Sequence, residues 1–423
     1  MTTSLTVILC LLFLRTIAET ILNRLNAGHV TRLKGDVPES LHGISDQKSW
    51  DRTTEYTLAK SRFGFFEQWY QAVVLVFVMI WFLPWSYSEW SGGVDAGPWR
   101  EALAVVAILL LLQLPELPFD WLRQFRLEEK FGFNKSTVGL WVSDKLKGFF
   151  LGFALMFILI GLLLYIHWHL SRVFPNTWWL WGFGAFFVFQ LMLFALWPMF
   201  ILPLFNKLEP LEEGELRERL MALADRAGFQ AKTIEVMDGS KRSGHSNAFF
   251  TGFGRFRRIV LYDTLIEQME IDELEAVLAH EIGHYKLGHV PKRLVISAVF
   301  GLFAFWIIDY LTQASWFYDE SLGLGFTAGA EGRLGPVFLV MSVASGLFTF
   351  WVSPLGSMLS RKHEYEADAF ARDAVEGSGP LVSALRKLHV ENLSNPLPHP
   401  LFAAIYLSHP TLPEREQALN SQS

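Results

Sequence analysis

The chain has 423 residues, of which 51% are hydrophobic and 15% aromatic, and its mean hydropathy is +0.27. A soluble protein of this length is less apolar, so we expect an integral membrane protein. The net charge of −6, without a basic tail, argues against nucleic acid as a partner. The single cysteine, Cys10, excludes an internal disulfide framework and argues against a cysteine nucleophile.

Seven segments are long and apolar enough to cross a hydrocarbon core of about 30 Å as helices. They are Leu5–Leu22, Phe65–Tyr87, Ala102–Leu117, Phe149–Trp168, Trp178–Phe200, Leu294–Leu311 and Pro336–Leu359. We interpret the first as a helix and not a signal peptide, because no basic residue precedes it and no cleavage site follows. It contains Arg15 and Glu19, for which we favour an ion pair near the membrane interface over a role in a polar interior.

Basic residues are concentrated in the loops after the first and third of these helices. The alternate loops contain one each, Arg100, Arg172 and Arg333. The positive-inside rule then predicts an N-terminus outside or lumenal, with the C-terminus and the catalytic segments cytoplasmic. We divide the chain into a membrane region with five helices, a catalytic segment, helices six and seven, and a C-terminal catalytic segment, at 1–205, 206–293, 294–359 and 360–423.

The polar segment from Asn206 to Arg293 predicts a small mixed structure. A charged helix is expected near Glu212–Ala227, followed by strands at Lys232–Met237 and Ile259–Tyr262. Between the strands, Ser240–Gly254 predicts a turn, a further strand and a glycine-bounded hairpin loop. The edge of this hairpin could pair with an extended peptide, although the pattern fits a purely structural hairpin equally well.

A predicted helix further along this segment contains His280, Glu281 and His284 in the spacing of a zinc hydrolase. At about 100° per residue the two histidines share one face, close enough to bind one metal ion. Glu281 lies to the side, where its carboxylate can act as a general base on a water. Asp272 and Glu275 are the expected cap pair of this helix. The alternative is an amphipathic helix with surface histidines.

A catalytic zinc site needs a third protein ligand. His289 is nine residues after His280 and points to the opposite face of a continuous helix, so we expect an interfacial histidine there. Glu364 is the better candidate, with Asp368 four residues later placed to hold a ligand imidazole. Glu366 projects elsewhere and is the weaker choice. A solvated helix face of mixed charge is the alternative explanation for these carboxylates.

The C-terminal region contains two His-Pro steps, at His399 and His409, where the proline restricts the backbone of the histidine. Together with other separated stretches, the second step gives the sequence a resemblance to the type I CAAX prenyl endopeptidases, the CAAX prenyl protease 1 family of integral-membrane zinc metalloproteases. The resemblance covers nearly the whole chain. It rests on Arg126–Thr137, Pro203–Leu208, His245–Ala248, His280–His284, Ser360–Asp368 and Ser408–Pro410.

The resemblance implies one Zn²⁺ per chain, bound by His280, His284 and Glu364, with Glu281 activating a water. It also implies that Asp368 orients a ligand histidine. The implied fold is an all-α polytopic membrane protein whose seven transmembrane helices enclose a chamber. A cytoplasmic zinc-metalloprotease domain containing a small β-hairpin or sheet completes this fold.

The same resemblance implies roles for three further residues. Asn247 would hold the substrate backbone, His409 would face the developing oxyanion, and Arg415 would support the site. The implied substrate is a prenylated CAAX protein that loses its C-terminal tripeptide.

Two other functions remain open at this point. One is a membrane quality-control protease acting on unprenylated or misfolded proteins, and the other is a scaffold that retains zinc for stability. We expect as partners a prenylated or extended peptide or protein and the lipid bilayer, with no nucleic acid, and a monomeric chain. The membrane would be the endoplasmic reticulum or a bacterial inner membrane, depending on the source.

Overall fold

The computed structural model describes residues 3–92, 97–229, 233–251, 258–318, 324, 326 and 332–421. Within these ranges seven helical spans are long and apolar enough to cross a membrane, which confirms the seven predicted segments. The spans are longer than the apolar segments, because polar helix formers continue them beyond the hydrocarbon. Their bounds are Thr3–Arg32, Gln47–Trp90, Pro98–Phe131, Val138–Val173, Trp178–Phe205, His289–Gln313 and Leu334–Ala374.

The first five spans are built from nine described helices. These are α1 (Thr3–Arg32), α2 (Gln47–Phe77), α3 (Leu83–Trp90), α4 (Pro98–Leu111), α5 (Leu117–Leu122), α6 (Glu129–Phe131), α7 (Val138–Val173), α8 (Trp178–Leu196) and α9 (Leu202–Phe205). Asp46 caps α2 by accepting a hydrogen bond from the Ser49 amide at 2.7 Å, as expected for a residue before a helix. The predicted Arg15–Glu19 ion pair is present at 2.9 Å and lines a cavity of about 310 Å³.

A four-stranded sheet follows the fifth span, with strand order β1-β2-β4-β3. The elements are β1 (Leu208–Pro210), α10 (Glu215–Arg226), β2 (Thr233–Met237), β3 (Ala248–Thr251), β4 (Arg258–Tyr262), α11 (Asp263–Gln268) and α12 (Ile271–Lys286). β4 pairs parallel with β2 and antiparallel with β3, which leaves β3 as an edge strand of the described sheet. Lys232 and the predicted loop at Gly252–Gly254 lie outside the described residues.

Helix α12 begins differently from the sequence prediction. Its capping box is formed by Glu270 and Glu273, and not by Asp272 and Glu275. The latter two carboxylates accept hydrogen bonds from Arg219 on α10 instead. Because α12 begins at Ile271, Asp272 lies inside its first turn and not at its cap.

The last part of the chain returns to the membrane and then back to the sheet. Its helices are α13 (His289–Gln313), α14 (Ser315–Tyr318), α15 (Leu334–Ala374), α16 (Gly379–Glu391), α17 (Pro400–Tyr406) and α18 (Leu412–Ser421). α15 is one helix of 41 residues that begins in the apolar span and ends beyond Glu364. The predicted boundary between residues 359 and 360 therefore falls inside a helix, as does the one between 293 and 294.

Two separate apolar cores explain how the membrane helices and the sheet are held. The membrane core buries side chains such as Val105, Ile108 and Val337 from α4 and α15. The second core lies between the sheet and helices α10, α12 and α16, where Ile259 and Leu278 are 1% exposed. Since α12 is covered by this second core on one side and packs against α15, its remaining polar face is held in a fixed orientation.

Candidate metal centre

Helices α12 and α15 bring three ligand atoms together. The Nε2 atoms of His280 and His284 are 3.2 Å apart, and they lie 3.4 and 3.3 Å from Oε2 and Oε1 of Glu364, respectively. Ligand atoms at 2.0–2.1 Å from a tetrahedral zinc ion are separated from each other by about 3.3 Å. One ligand atom from each side chain lies within 4.8 Å of the other two, which is compatible with a three-ligand zinc site.

The burial of Glu364 supports the same conclusion. The residue is 2% exposed, and its Oε2 atom has no hydrogen-bond partner in the structure. Arg415 Nη1 lies 3.9 Å from this oxygen without hydrogen-bonding to it, and a cation between the carboxylate and the two imidazoles would satisfy the oxygen directly. The donor set of two histidines and one carboxylate is also the one found in many catalytic zinc sites. The residues present therefore fit a zinc ion.

Glu281 follows His280 on α12 and is half-buried. Burial raises the pKa of its carboxyl above the ordinary glutamate value, while the neighbouring His280 and His284 oppose the shift. A carboxylate with a raised pKa is a stronger base, which suits a residue that accepts a proton near neutral pH. The environment of Glu281 is thus compatible with the role predicted for it.

Asp368 and Arg415 stand behind His280. The Nδ1 atom of His280 is 2.8 Å from Oδ1 of Asp368, and the Nε of Arg415 donates to Oδ2 of Asp368 at 2.8 Å. Burial lowers the pKa of His280, but its contacts with Asp368 and Glu364 outweigh burial and raise the pKa to about 9. The arrangement holds the ring with Nε2 directed at the other ligands.

His409 reaches the centre from the C-terminal segment. Its Nε2 atom is 3.4 Å from Oε1 of Glu364, and its side chain is 62% exposed. Arg361 on α15 holds the preceding segment by donating to the carbonyl oxygens of Leu407 and Ala403, at 2.8 and 3.3 Å. His409 is therefore a neighbour of the ligands that remains accessible to another molecule.

Asn247 lies next to the edge strand and not among the ligands. The residue is exposed, and its side-chain oxygen accepts a hydrogen bond from the Ala248 amide at 2.8 Å. Strand β3, which begins at Ala248, packs against α12. The predicted edge is thus beside the helix that contains the histidine pair.

The prediction that His289 is an interfacial histidine on the opposite face from His280 is wrong. The residue is 1% exposed, and its Nδ1 atom is 2.9 Å from Nδ1 of His284. The prediction counted rotation along one continuous helix, but α12 ends at Lys286 and Gly288 adopts a left-handed conformation with φ 68°. A glycine after the last turn is a common helix terminator, so Gly288 was the signal that the count should stop.

Gly283 explains how α12 and α15 approach closely enough for the ligands to meet. A Cβ atom at this position would lie 3.2 Å from the backbone of Ala367 and 3.1 Å from the ring of Phe370. These distances are shorter than ordinary van der Waals contacts, and the first involves a backbone that cannot rotate away. A side chain at position 283 would therefore require the two helices to shift apart.

We expect Gly283→Val to lower the free energy of unfolding by about 1–3 kcal/mol, because overpacking must push the two helices apart. Zinc affinity should fall with it, since the ligands are divided between these helices. Thermal unfolding and chelator competition measure the two effects. Gly356→Val, on α15 with no atom within 4 Å of the added Cβ, is the matched control. Equal zinc affinity in both variants would contradict this account.

Comparison with known proteins identifies related families for both parts of the chain. Residues 27–207 match the family described as CAAX prenyl protease N-terminal, five membrane helices, and residues 210–423 match peptidase family M48. CAAX prenyl protease 1 of Saccharomyces cerevisiae is 36% identical, with 91% of this chain and 88% of that protein covered. The homolog from Oryza sativa subsp. japonica is 35% identical, with 97% and 96% covered.

A solved structure shows the same fold. The crystal structure of S. mikatae Ste24p superimposes with a TM-score of 0.85 at 32% identity and covers 98% of both chains. The two family matches together account for nearly all of the chain after the first span, including the histidine pair. The chain therefore belongs to peptidase family M48, in its CAAX prenyl protease branch, and is a multi-pass membrane metalloprotease.

Proposed function

We propose that this protein is a zinc endopeptidase that removes the C-terminal tripeptide from prenylated CAAX proteins. The observation that carries the proposal is the cluster of His280, His284 and Glu364, in which one ligand atom from each residue lies within 4.8 Å of the others. In the proposed site these three residues are the ligands, and Glu281 is the general base. Asp368 and Arg415 orient His280 through its other ring nitrogen.

The proposed reaction divides the work among these residues. The three ligands would hold a zinc ion, which would supply polarisation of the scissile carbonyl and a water molecule whose pKa is lowered toward about 7. Glu281 accepts the proton of the attacking water and later donates it to the leaving amine. His409, which is exposed beside Glu364, donates a hydrogen bond to the developing oxyanion, a contribution on the order of 3 kcal/mol.

The position of β3 at the edge of the described sheet supports the proposal of a peptide substrate. An extended peptide can add to the free edge of β3, where its backbone pairs with the strand and Asn247 supplies an additional polar contact. A peptide bound in this way is read through its main chain, so the strand by itself gives little sequence selection. Selection for a CAAX terminus would then come from the lipid on the cysteine.

The prenyl group follows from the relatives and from the membrane setting. The curated proteins from yeast and rice are named CAAX prenyl protease 1 and CAAX prenyl protease 1 homolog. An isoprenoid can remain in an apolar environment within the seven spans while the peptide reaches the zinc. The N-terminus would be outside or lumenal and the catalytic segments cytoplasmic, in a monomeric chain whose helices enclose a chamber.

A farnesylated CAAX peptide should be cleaved with kcat/KM on the order of 10²-fold higher than its unprenylated copy, because the isoprenoid adds buried apolar area. The measurement is mass-spectrometric detection of the released tripeptide, using the full chain in detergent, with and without a zinc chelator. Equal cleavage of both peptides would favour the quality-control protease. Stoichiometric zinc without chelator-sensitive cleavage of either peptide would favour the scaffold.

A further inference from the structure

A second group of polar side chains lies directly behind His284. The Nδ1 atom of His289 is 2.9 Å from Nδ1 of His284, and its Nε2 atom is 2.9 Å from Oε2 of Glu366. His289 is 1% exposed, whereas the side chain of Glu366 is 35% exposed. The three residues form a chain that begins at a proposed zinc ligand and ends at a carboxylate near the surface.

The two ends of this hydrogen-bonded series determine which nitrogen donates and which accepts at each step. A ligand nitrogen must offer its lone pair to the metal, so His284 with Nε2 as ligand has its proton on Nδ1. That N–H donates to Nδ1 of His289, which must then be unprotonated. His289 consequently has its proton on Nε2 and donates it to the carboxylate of Glu366. Every group in the chain has a partner.

His363 and Glu366 could instead be taken, with His289, for the ligands of a second metal ion. The ring of His363 is stacked on His289, with centroids 3.9 Å apart and planes 9° from parallel. A metal ion lies close to the plane of each imidazole that binds it, and two stacked parallel rings cannot both satisfy this for one ion. Both nitrogens of His289 are moreover engaged, by His284 and Glu366.

The surroundings of the two proposed histidine ligands are therefore different. His280 contacts the carboxylate of Asp368 directly, and that carboxylate is neutralised by Arg415. His284 contacts a neutral imidazole, and the carboxylate of Glu366 stands one step further away. A neutral intermediary still fixes the ring orientation, and it places less negative charge next to the ligand.

We propose that His289 and Glu366 are positioning residues that act in series to orient His284 as a zinc ligand. The inference rests on the proposed zinc site. His289 selects the tautomer of His284 that exposes Nε2 to the metal, and Glu366 selects the tautomer of His289 that can accept from His284. His363 covers the other face of His289 and keeps its ring in place.

The test is zinc affinity, measured by competition with a chromophoric chelator on the full-length protein in detergent. Loss of such an indirect partner of a metal ligand lowers metal affinity by about 10–100-fold. We expect a loss in this range for His289→Ala and a loss near its lower end for Glu366→Gln, whose amide still accepts a hydrogen bond. Because the two residues act in series, the double variant should bind zinc no more weakly than His289→Ala alone.

Asp373→Asn is the matched control, since Asp373 is a carboxylate on the same helix whose side chain is 69% exposed and contacts Arg372. It should bind zinc like the unmodified protein. Glu366→Gln should also recover its kcat at saturating zinc, because the proposal gives His289 and Glu366 no contact with the substrate. Size-exclusion profiles and thermal unfolding identify any variant that has lost its fold. If His289→Ala loses its fold, Glu366→Gln, at a partly exposed position, still tests the inference.

Three results would overturn the inference. Unchanged zinc affinity in Glu366→Gln and in folded His289→Ala would remove the positioning role. Additive losses in the double variant would show that the two residues act separately. Two zinc ions per unmodified chain, with one lost in Glu366→Gln, would establish a second metal site. An unmodified chain that binds no zinc would instead refute the proposed function itself, so the two failures are distinguishable.

Discussion

Replacing Glu281 by glutamine should lower kcat for peptide cleavage on the order of 10³-fold while leaving one zinc ion per chain. The amide has nearly the size of the carboxylate but cannot accept the proton of the attacking water, and a general base contributes typically about 10²–10⁴-fold. Zinc should be retained because the proposed ligands are His280, His284 and Glu364, and not Glu281. The measurements are single-turnover cleavage of a farnesylated CAAX peptide and zinc content by mass spectrometry.

Glu275→Gln is the matched control for this experiment. Glu275 is on the same helix, six residues earlier, and contacts Arg219 away from the ligands. Its loss changes the net charge of the helix by the same amount, so normal cleavage by Glu275→Gln would assign the effect to position 281. A zinc-loaded Glu281→Gln protein that cleaves the peptide at the normal rate would show that another residue is the base.

Replacing Glu364 by alanine should remove the zinc ion, and with it peptide cleavage, by on the order of 10³-fold or more. The carboxylate is 2% exposed and lies 3.4 and 3.3 Å from the two imidazoles. At so buried a position, bulk water has little access to replace the missing ligand. We expect less than a tenth of a zinc ion per chain after dialysis, as an order-of-magnitude expectation for a site reduced to two ligands. Zinc content and cleavage rate are measured on the same preparation.

The isosteric variant Glu364→Gln separates the loss of charge from the loss of volume. Its amide oxygen is a weaker ligand, so we expect intermediate zinc content at high zinc concentration and little after dialysis. Asp373→Asn on the same helix should keep both zinc and activity. Full zinc content in Glu364→Ala would place the third ligand elsewhere, and His409, at 3.4 Å from Glu364, would be the next residue to examine.

The two variants have opposite signatures, which makes them informative together. Glu281→Gln should be inactive and loaded with zinc, whereas Glu364→Ala should be inactive and free of zinc. A protein that had merely unfolded would lose zinc in both cases. The pair therefore separates the chemistry of the base from the assembly of the site.

Local pattern was sufficient for most of the elements. The seven spans follow from hydropathy, because a helix in a bilayer must be apolar along its whole length. The face shared by His280 and His284 follows from four residues of separation in a helix, and α12 has that geometry. Strands β2 and β4 were located nearly to the residue. The three-residue β1 was not, since so short a strand has no period.

Local sequence patterns did not predict where these helices begin and end or which separate elements they contact. Glu270 and Glu273 cap α12 because the helix begins at Ile271, and Asp272 and Glu275, already inside it, contact Arg219 on another helix. His289 turned inward because Gly288 ended the helix on which its direction had been counted. In both cases the prediction failed because a helix began or ended at a different residue than expected.

The sequence by itself determined that the protein is embedded in a membrane, that a helix presents two imidazoles on one face, and that a carboxylate is offered far along the chain. These properties depend on neighbours within a few residues, where helix geometry leaves little freedom. Only the tertiary structure decided that Asp368 contacts His280, 88 residues earlier, and not His284, and that His289 and Glu366 stand behind His284. Such contacts depend on how closely α12 and α15 pack, and that distance is set by a glycine and two apolar cores rather than by local spacing.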